Sequence, residues 1–344
     1  MKKLLDSVIA ALEANEPVVL VSVISSSGST PRGAGAMMVV FTGGESSGTI
    51  GGGAVEFEAQ KHAMRLFSDK ASHITSYTLA KNDVADLGMI CGGDVTVFYE
   101  YFDPAESRSL DLFRYMRETL DKNEDSWLVR RIEDGKAPET TVFDNDGIHF
   151  EILSEADVIK PLLENPRKPG GVGDGSEGDT QYYTEQLVRA GRVFVFGGGH
   201  VAQELVPVLS HVGFSVVLYE DRENFARKEL FPDAVETILG EFTDIQEKIT
   251  AGQGDYAVIM TRGHQKDYEV LEQMLRTPAQ YIGCIGSAKK LGAVKQRLLE
   301  AGVPEAGFGK LYCPIGLSIK AETPAEIAIS IAAELILFRA GSGS

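Results

Sequence analysis

The residues best suited to chemistry form a glycine turn between an apolar run and a helical pattern. Gly197, Gly199 and Ala202 stand in the spacing G-x-G-x-x-A. In dinucleotide-binding folds the first glycine permits a tight turn and the second lets the backbone approach a pyrophosphate, while the small third residue lets the helix pack on the strand. A phosphate there would meet free N–H groups at the helix N-terminus. The motif therefore predicts nucleotide binding.

Two acids follow where such a fold binds a ribose. Glu220 and Asp221 end the next apolar run, about 20 residues after the turn, where a carboxylate accepts hydrogen bonds from ribose hydroxyls. Arg222 comes directly after them, and its charge also suits a second phosphate. His200 adds bulk in the turn itself, and we expect it to be a polar turn residue rather than a catalyst.

Two further loops are predicted at the same edge of the sheet, because ligands of doubly wound folds bind beyond the carboxyl ends of the strands. Loops 261–267 and 286–290 present side chains that suit a phosphorylated ligand: His264, Asp267, Ser287, Lys289 and Lys290. The lysines suit the solvated start of a helix equally well. His264 is also the one evident proton donor for a hydride-transfer reaction.

The first half contains a second glycine run. Gly51, Gly52 and Gly53 precede a predicted helix, an arrangement that suits an anion or a closely approaching ligand. The run lacks the Gly-Lys-Ser/Thr ending of a P-loop, and a tight turn without a ligand explains it at least as well. An earlier loop offers the donors Ser29, Thr30 and Arg32; such an arginine suits phosphate or carboxylate, although a surface ion pair is its commoner fate.

The three cysteines lie far apart and form no C-x-x-C pair, which predicts reduced thiols in a cytoplasmic protein. Cys91 stands beside two glycines in a loop, so it is a candidate nucleophile, although a small buried residue is the default for a cysteine. Cys284 lies within an apolar run and is expected in the core. For Cys313, which precedes Pro314, the sequence does not decide between a core position and an accessible thiol. The six histidines form no H-x-x-H pair, so we predict no metal site.

Two domains are predicted to position these residues. Residues 1–160 read as an α+β domain, with strands at 18–25, 37–41 and 95–102. Residues 161–183, rich in Pro, Gly and charge, read as a linker or mobile loop. From 184 to 340, strands alternate with helices, which predicts a doubly wound parallel sheet of the α/β class.

The last helix has a sharp start, since Thr323, Pro324 and Glu326 form a capping box. Its apolar stripe, Ile327, Ile331, Leu335 and Phe338, should lie on the sheet. The same apolar helix could equally form the interface of a homodimer.

The net charge of −17 argues against nucleic acid or an anionic membrane surface as a partner. No run approaches the roughly 20 apolar residues of a transmembrane helix.

With these motifs the chain resembles the xanthine dehydrogenase accessory factor family, of the XdhC/CoxI type. In the first half the resemblance is carried by GSTPRGAGAMMVV, GTIGGGAVE and GMICGGDVTVF. In the second half it is carried by VFVFGGGHVAQELV, YIGCIGSAKK and PIGLSIKAETPAEIAISIAAELI. The resemblance implies an accessory protein that binds molybdenum cofactor, a molybdopterin sometimes extended to a dinucleotide. It also implies help with sulfuration and insertion of this cofactor into an apo-enzyme of the xanthine dehydrogenase type, with a cysteine desulfurase as a further partner.

The chain departs from the family pattern in three places. The family often has a cysteine where this chain has Ala54, which leaves Cys91 as the remaining thiol of the first domain. The serine-arginine of the family appears as Ser287-Ala288-Lys289, and residues 262–264 replace a histidine-then-acid loop. Two alternatives therefore stay open: an NAD(P)-dependent oxidoreductase that uses His264, and a sulfur-transfer enzyme that uses Cys91.

Overall fold

The chain divides into two compact units, Met1–Val188 and Arg189–Ser344. The computed structural model describes residues 1–28, 30, 32–79, 93–122, 124–132, 138–150, 163, 181–188, 191–286 and 288–341. Cys91, Ser29, Ser287 and all but a few residues of the predicted linker 161–183 lie outside these ranges. The side chains of His264, Lys289 and Lys290 also lie outside the description, although the backbone there is helical.

The first unit contains a five-stranded antiparallel sheet. Its strands, in chain order, are β1 (Val18–Gly28), β2 (Met37–Phe41), β3 (Ser46–Gly48), β4 (His73–Leu79) and β5 (Gly93–Phe102). Their spatial order is β3-β2-β1-β5-β4. Helix α1 (Lys2–Glu13) packs its apolar stripe into one core cluster, and helix α2 (Gly53–Asp69) packs into another. Strands β1 and β2 were predicted from their β-branched apolar runs, and β3 and β4 were not.

A second antiparallel sheet completes this unit. It has the order β8-β7-β6-β9, formed by β6 (Ser126–Ile132), β7 (Glu139–Asp144), β8 (Gly147–His149) and β9 (Gln181–Val188). Helix α3 (Ser107–Lys122) precedes it in the chain. Strand β9 pairs antiparallel with β6. Residues 184–188, predicted to begin the second domain, therefore lie in the first unit, because their backbone hydrogen bonds are made to β6.

The second unit is built on a six-stranded parallel sheet, which confirms the predicted doubly wound α/β domain. Its strands are β10 (Arg192–Phe196), β11 (Ser215–Glu220), β12 (Glu236–Leu239), β13 (Tyr256–Ile259), β14 (Tyr281–Cys284) and β15 (Leu311–Tyr312). The order is β12-β11-β10-β13-β14-β15. Counted from β10, this is the order 3-2-1-4-5-6 of dinucleotide-binding folds, whose strand order reverses between β10 and β13.

Helices connect these strands: α4 (His200–His211), α5 (His264–Met274), α6 (Ala288–Glu300) and, at the end, α7 (Pro324–Gly341). Alternate residues of β10 enter opposite cores, because successive strand side chains point to opposite faces. Val193 and Val195 pack with α4 and α7, whereas Phe194 and Phe196 pack with α5.

Helix α7 begins as its sequence predicts. Glu326 accepts the N–H of Thr323 at 3.0 Å, and the Thr323 hydroxyl accepts the N–H of Glu326 at 3.3 Å. Ile331 and Leu335 are fully buried in the core that includes β10. Within the described part of the chain, no helix is both long and apolar enough to cross a bilayer.

Candidate nucleotide-binding site

The glycine turn joins β10 to α4 at the point where the strand order reverses. Gly197 has φ +107°, and a Cβ there would lie 2.5 Å from the carbonyl oxygen of Met260. Gly198 is equally constrained, because its Cβ would lie 2.3 Å from the carbonyl oxygen of Phe225. Only a residue without a side chain fits at either position. The fingerprint spacing predicts the first constraint, while the second arises from a contact with a distant segment.

Gly199 differs from these two glycines. A Cβ there would have no atom of the described residues within 4 Å. Gly199 is the N-cap of α4, and no side chain in the described ranges caps this helix. The first N–H groups of a helix have no partner within the helix. The turn therefore offers open space and backbone donors, the two features that an approaching phosphate requires.

Ala202 and His200 are the other two predicted residues of this turn. Ala202 is fully buried in the core of β10, in the helix-packing role predicted for it. His200 is exposed at the first position of α4. An exposed side chain there is compatible with a polar turn residue and lies beside the open N-terminus of the helix.

Glu220 supports the turn from the neighbouring strand β11. It is 1% exposed, and its carboxylate accepts the N–H of Gly198 at 2.7 Å and the Nε and Nη2 donors of Arg222 at 2.8 Å each. Burial opposes ionisation, but the hydrogen bonds from Arg222 and Gly198 prevail and lower the pKa of Glu220 to about 2. The predicted ribose carboxylate is thus engaged within the protein.

Asp221 is the acid of this pair that is more accessible to a ligand. Its side chain is 15% exposed and meets the Nζ of Lys266 at 3.0 Å. Burial and the adjacent Glu220 raise the pKa of Asp221, and Lys266 opposes that shift. The Arg222 guanidinium lies 4.0 Å from the ring centroid of Phe225 while it binds Glu220. The sequence analysis did not single out Lys266, because its partner Asp221 is distant in the chain.

The loop after β13 reaches the same edge of the sheet. Asp267 is buried and accepts both the N–H and the hydroxyl of Thr261, at 2.9 and 2.6 Å. It therefore holds the loop and is not directed to a ligand, contrary to the prediction. Gly263 caps α5 with φ +99°, so His264 begins that helix. Arg262 is exposed in this loop.

The loop after β14 is described as far as Gly286, and Lys289 and Lys290 lie at the start of α6. A Cβ on Gly286 would lie 3.5 Å from the Sγ of Cys313. Cys284 is 4% exposed and lies in the core, as predicted, and half-buried Cys313 packs against the same core. These two thiols are neighbours, which the distance between them in the sequence conceals.

In the glycine run of the first unit, a side chain of the protein itself accepts backbone hydrogen bonds. Glu56 accepts the hydroxyl of Thr49 at 2.5 Å and the N–H groups of Ile50 and Gly52 at 2.9 and 3.0 Å. Burial opposes ionisation of Glu56, but these bonds prevail and lower its pKa. The turn therefore has Glu56 as an internal acceptor, while a Cβ at Gly52 or Gly53 would meet no described atom within 4 Å.

Two other predicted positions of the first unit lie within the described residues. Arg32 is exposed, and Ala54 follows the first residue of α2. Across the ranges that the structure describes, no three His, Cys, Asp or Glu side chains are grouped so as to hold a metal ion.

Two family models match this chain. A model of the XdhC Rossmann domain matches residues 193–335, which span the parallel sheet and its helices. A model of the XdhC and CoxI family matches residues 11–78, which span β1 to β4 with α2.

Individual proteins match over most of the chain. A probable subunit of xanthine dehydrogenase from Bacillus subtilis (strain 168) is 27% identical over 333 residues, which cover 96% of each protein. The uncharacterized protein YqeB of Escherichia coli (strain K12) is 23% identical over 94% of this chain, and the match spans 44% of YqeB. A crystal structure of a xanthine dehydrogenase from Bacillus halodurans is 28% identical with a TM-score of 0.79, covering 99% of this chain and 96% of that one.

Proposed function

Because the chain belongs to the XdhC and CoxI family, we propose that it is an accessory protein that binds molybdenum cofactor as cargo for a xanthine dehydrogenase-type enzyme. Family membership implies the accessory role related to xanthine dehydrogenase. The cargo, its sulfuration and its insertion into an apo-dehydrogenase are the finer parts of the proposal. A cysteine desulfurase as a second partner, a homodimer and a cytoplasmic location belong to it as well.

The open glycine turn is the observation that supports cargo binding. Molybdopterin carries a phosphate, and its dinucleotide form carries a pyrophosphate. The free space at Gly199 and the uncapped N-terminus of α4 suit either group, because a helix N-terminus offers N–H donors and a favourable dipole. Exposed Arg262 adds positive charge on the next loop of the same edge. Bound there, the cofactor would supply the molybdenum centre that the partner dehydrogenase uses.

An NAD(P)-dependent oxidoreductase is the second proposal, and the strand order favours it, since dinucleotides bind at this reversal of order. Asp221 would then receive the ribose, because Glu220 is engaged by Gly198 and Arg222. The reaction would also need a proton donor, for which His264 is the candidate.

A sulfur-transfer role of Cys91 stays a prediction, and retained sulfuration activity in a Cys91→Ala variant would exclude it.

Binding measurements on the full chain test the proposal. We would add molybdopterin, its dinucleotide form, NAD and NADP separately and follow the thermal unfolding temperature. A ligand at a hundredfold excess over its Kd stabilises the folded protein by about 2.7 kcal/mol. We expect a shift with a pterin species. A shift with NAD or NADP alone would overturn cargo binding and support the oxidoreductase.

A variant pair locates the binding. Gly199→Asp places a favoured N-cap residue where there is room for it, so the fold should be retained, while its carboxylate competes for the N–H donors and repels a phosphate. Gly309→Asp adds the same charge at an exposed site before β15, where a Cβ meets no described atom within 4 Å. We expect Gly199→Asp alone to weaken pterin binding at least tenfold, about 1.4 kcal/mol. Equal affinity of both variants would exclude the glycine turn as the site.

A further inference from the structure

Strands β14 and β15 bring two cysteines side by side. The strands are parallel, and their register pairs Ile282 with Leu311 and Gly283 with Tyr312. Cys284 is the last residue of β14, Cys313 directly follows β15, and both contact the same core. Neighbouring strands lie about 4.8 Å apart, and disulfides join Cα atoms separated by about 4.4–6.8 Å. The spacing of neighbouring strands therefore falls within the range of Cα separations that a disulfide spans.

The two thiols differ in access to solvent. Cys284 is 4% exposed, whereas Cys313 is only partly buried. Cys313 also adjoins Gly286, whose missing side chain leaves space next to its Sγ. Cys313 is therefore the thiol of the pair that a dissolved reagent reaches more readily. An accessible attacking thiol next to a second, resolving thiol suits disulfide exchange.

The pKa values of the two thiols also indicate that Cys313 reacts first. The hydrogen bond from Cys284 outweighs burial and the nearby Asp267 and lowers the pKa of Cys313 to about 7. That hydrogen bond and burial raise the pKa of Cys284. The proton of Cys284 has a second acceptor, the carbonyl oxygen of Ile285 at 3.5 Å. Cys313 is thus the thiol that ionises near neutral pH, and the thiolate is the nucleophile.

We propose that Cys284 and Cys313 form a redox modification site that reacts with small-molecule disulfides and closes to an intramolecular disulfide. The Cys313 thiolate attacks one sulfur of the oxidant, forming a mixed disulfide and releasing one thiolate. Cys284 then gives its proton to the thiolate released first and attacks the Sγ of Cys313, which forms the Cys284–Cys313 bond and releases the second thiolate, to be protonated by water. The dithiol is oxidised by two electrons, and one oxidant molecule is reduced to two thiols.

Mass spectrometry on the full chain tests the site. A Cys91→Ser protein would be incubated with oxidised glutathione, and its intact mass and peptides compared before and after reduction by dithiothreitol. We expect the loss of two hydrogen atoms and a cross-linked peptide pair that contains Cys284 and Cys313. A stable glutathione adduct on Cys313, or Cys284 that still reacts with an alkylating agent after denaturation, would overturn the proposal. This readout needs neither cysteine of the pair to be substituted.

Single variants separate the two roles. In the same background, Cys284→Ala should retain glutathione on Cys313, because no resolving thiol remains. Cys313→Ser should react far more slowly, because Cys284 is buried. The pH midpoint of the reaction rate should lie near 7 with Cys284 present and move higher in Cys284→Ala, since the hydrogen bond to the thiolate is lost. An unchanged midpoint would contradict the role of Cys284 as proton donor to Cys313.

Discussion

The carboxylate of Glu220 accepts the N–H of Gly198 at 2.7 Å and thereby ties the end of β11 to the glycine turn after β10. The same carboxylate binds the guanidinium of Arg222. The residue that a fingerprint assigns to the ribose therefore holds the glycine turn in shape. Asp221, paired with Lys266, is left as the acid nearer to a ligand.

Substitution of Glu220 should destabilise the second unit in a pH-dependent way. Folding lowers the pKa of Glu220 from 4.5 to about 2, so its contribution to stability is complete above pH 4.5 and is lost as the pH falls towards 2. Glu220→Gln should cost roughly 2–3 kcal/mol at neutral pH and little near pH 2. Hydrogen exchange of β10 and β11 measures this, with exposed Glu229→Gln as the control. An equal loss of stability at both pH values would contradict the mechanism.

Substitution by alanine should destabilise the protein at Gly198 and have little effect at Gly199. A Cβ at Gly198 would collide with the carbonyl oxygen of Phe225, so Gly198→Ala should lower the unfolding free energy of the second unit by about 2–3 kcal/mol. Gly199→Ala meets no atom of the described residues and should change it little. Thermal unfolding compares the two variants directly. Equal stability of the pair would mean that the turn is not held against Phe225.

Glu56 should matter for the stability of the first unit. Glu56→Gln removes the charge that accepts the hydroxyl of Thr49 and the amides of Ile50 and Gly52, and we expect a loss of roughly 1–3 kcal/mol. The chain has a single tryptophan, Trp127 in β6, so its fluorescence in urea reports on this unit. The control is Glu58→Gln, whose side chain is 43% exposed. Unfolding midpoints that agree for both variants would argue that the loop does not need the carboxylate.

Glu185 should make the first unit less stable at alkaline pH. Its side chain is 12% exposed, and burial raises its pKa to about 7 even though Arg130 and the Tyr183 hydroxyl lower it. Because the raised pKa favours the protonated form, its contribution is complete below pH 4.5 and is lost as the pH rises through 7.

Glu185→Gln should abolish this decline, which we expect to be on the order of 2 kcal/mol in the wild-type protein between pH 5 and pH 8. Urea unfolding followed by Trp127 fluorescence measures it. Glu118→Gln, an exposed residue of α3, is the matched control. Parallel pH profiles of Glu185→Gln and the wild-type protein would refute the assignment.

Much of the second unit was predictable because its signals are local. The alternation of β-branched runs with helical patterns predicts a parallel sheet, and the capping box of Thr323 and Glu326 predicts where α7 begins. Signals in the first unit are weaker. Strand β4 is polar, so it lacks the apolar run that marks a strand in the sequence. Strand β9 lies beyond the predicted domain boundary, and its partner β6 is distant in the chain.

The sequence by itself determined the features that depend on a few neighbouring residues: the strand–turn–helix at Gly197–Ala202, the apolar strands, the caps and the family. Only the tertiary structure decided which donors and acids are free. Glu220, Asp267 and Glu56 each accept hydrogen bonds within the protein, and Cys284 meets Cys313 across two strands. The reason is physical: a buried polar group must find a partner, and the choice depends on which groups the fold brings within about 3 Å.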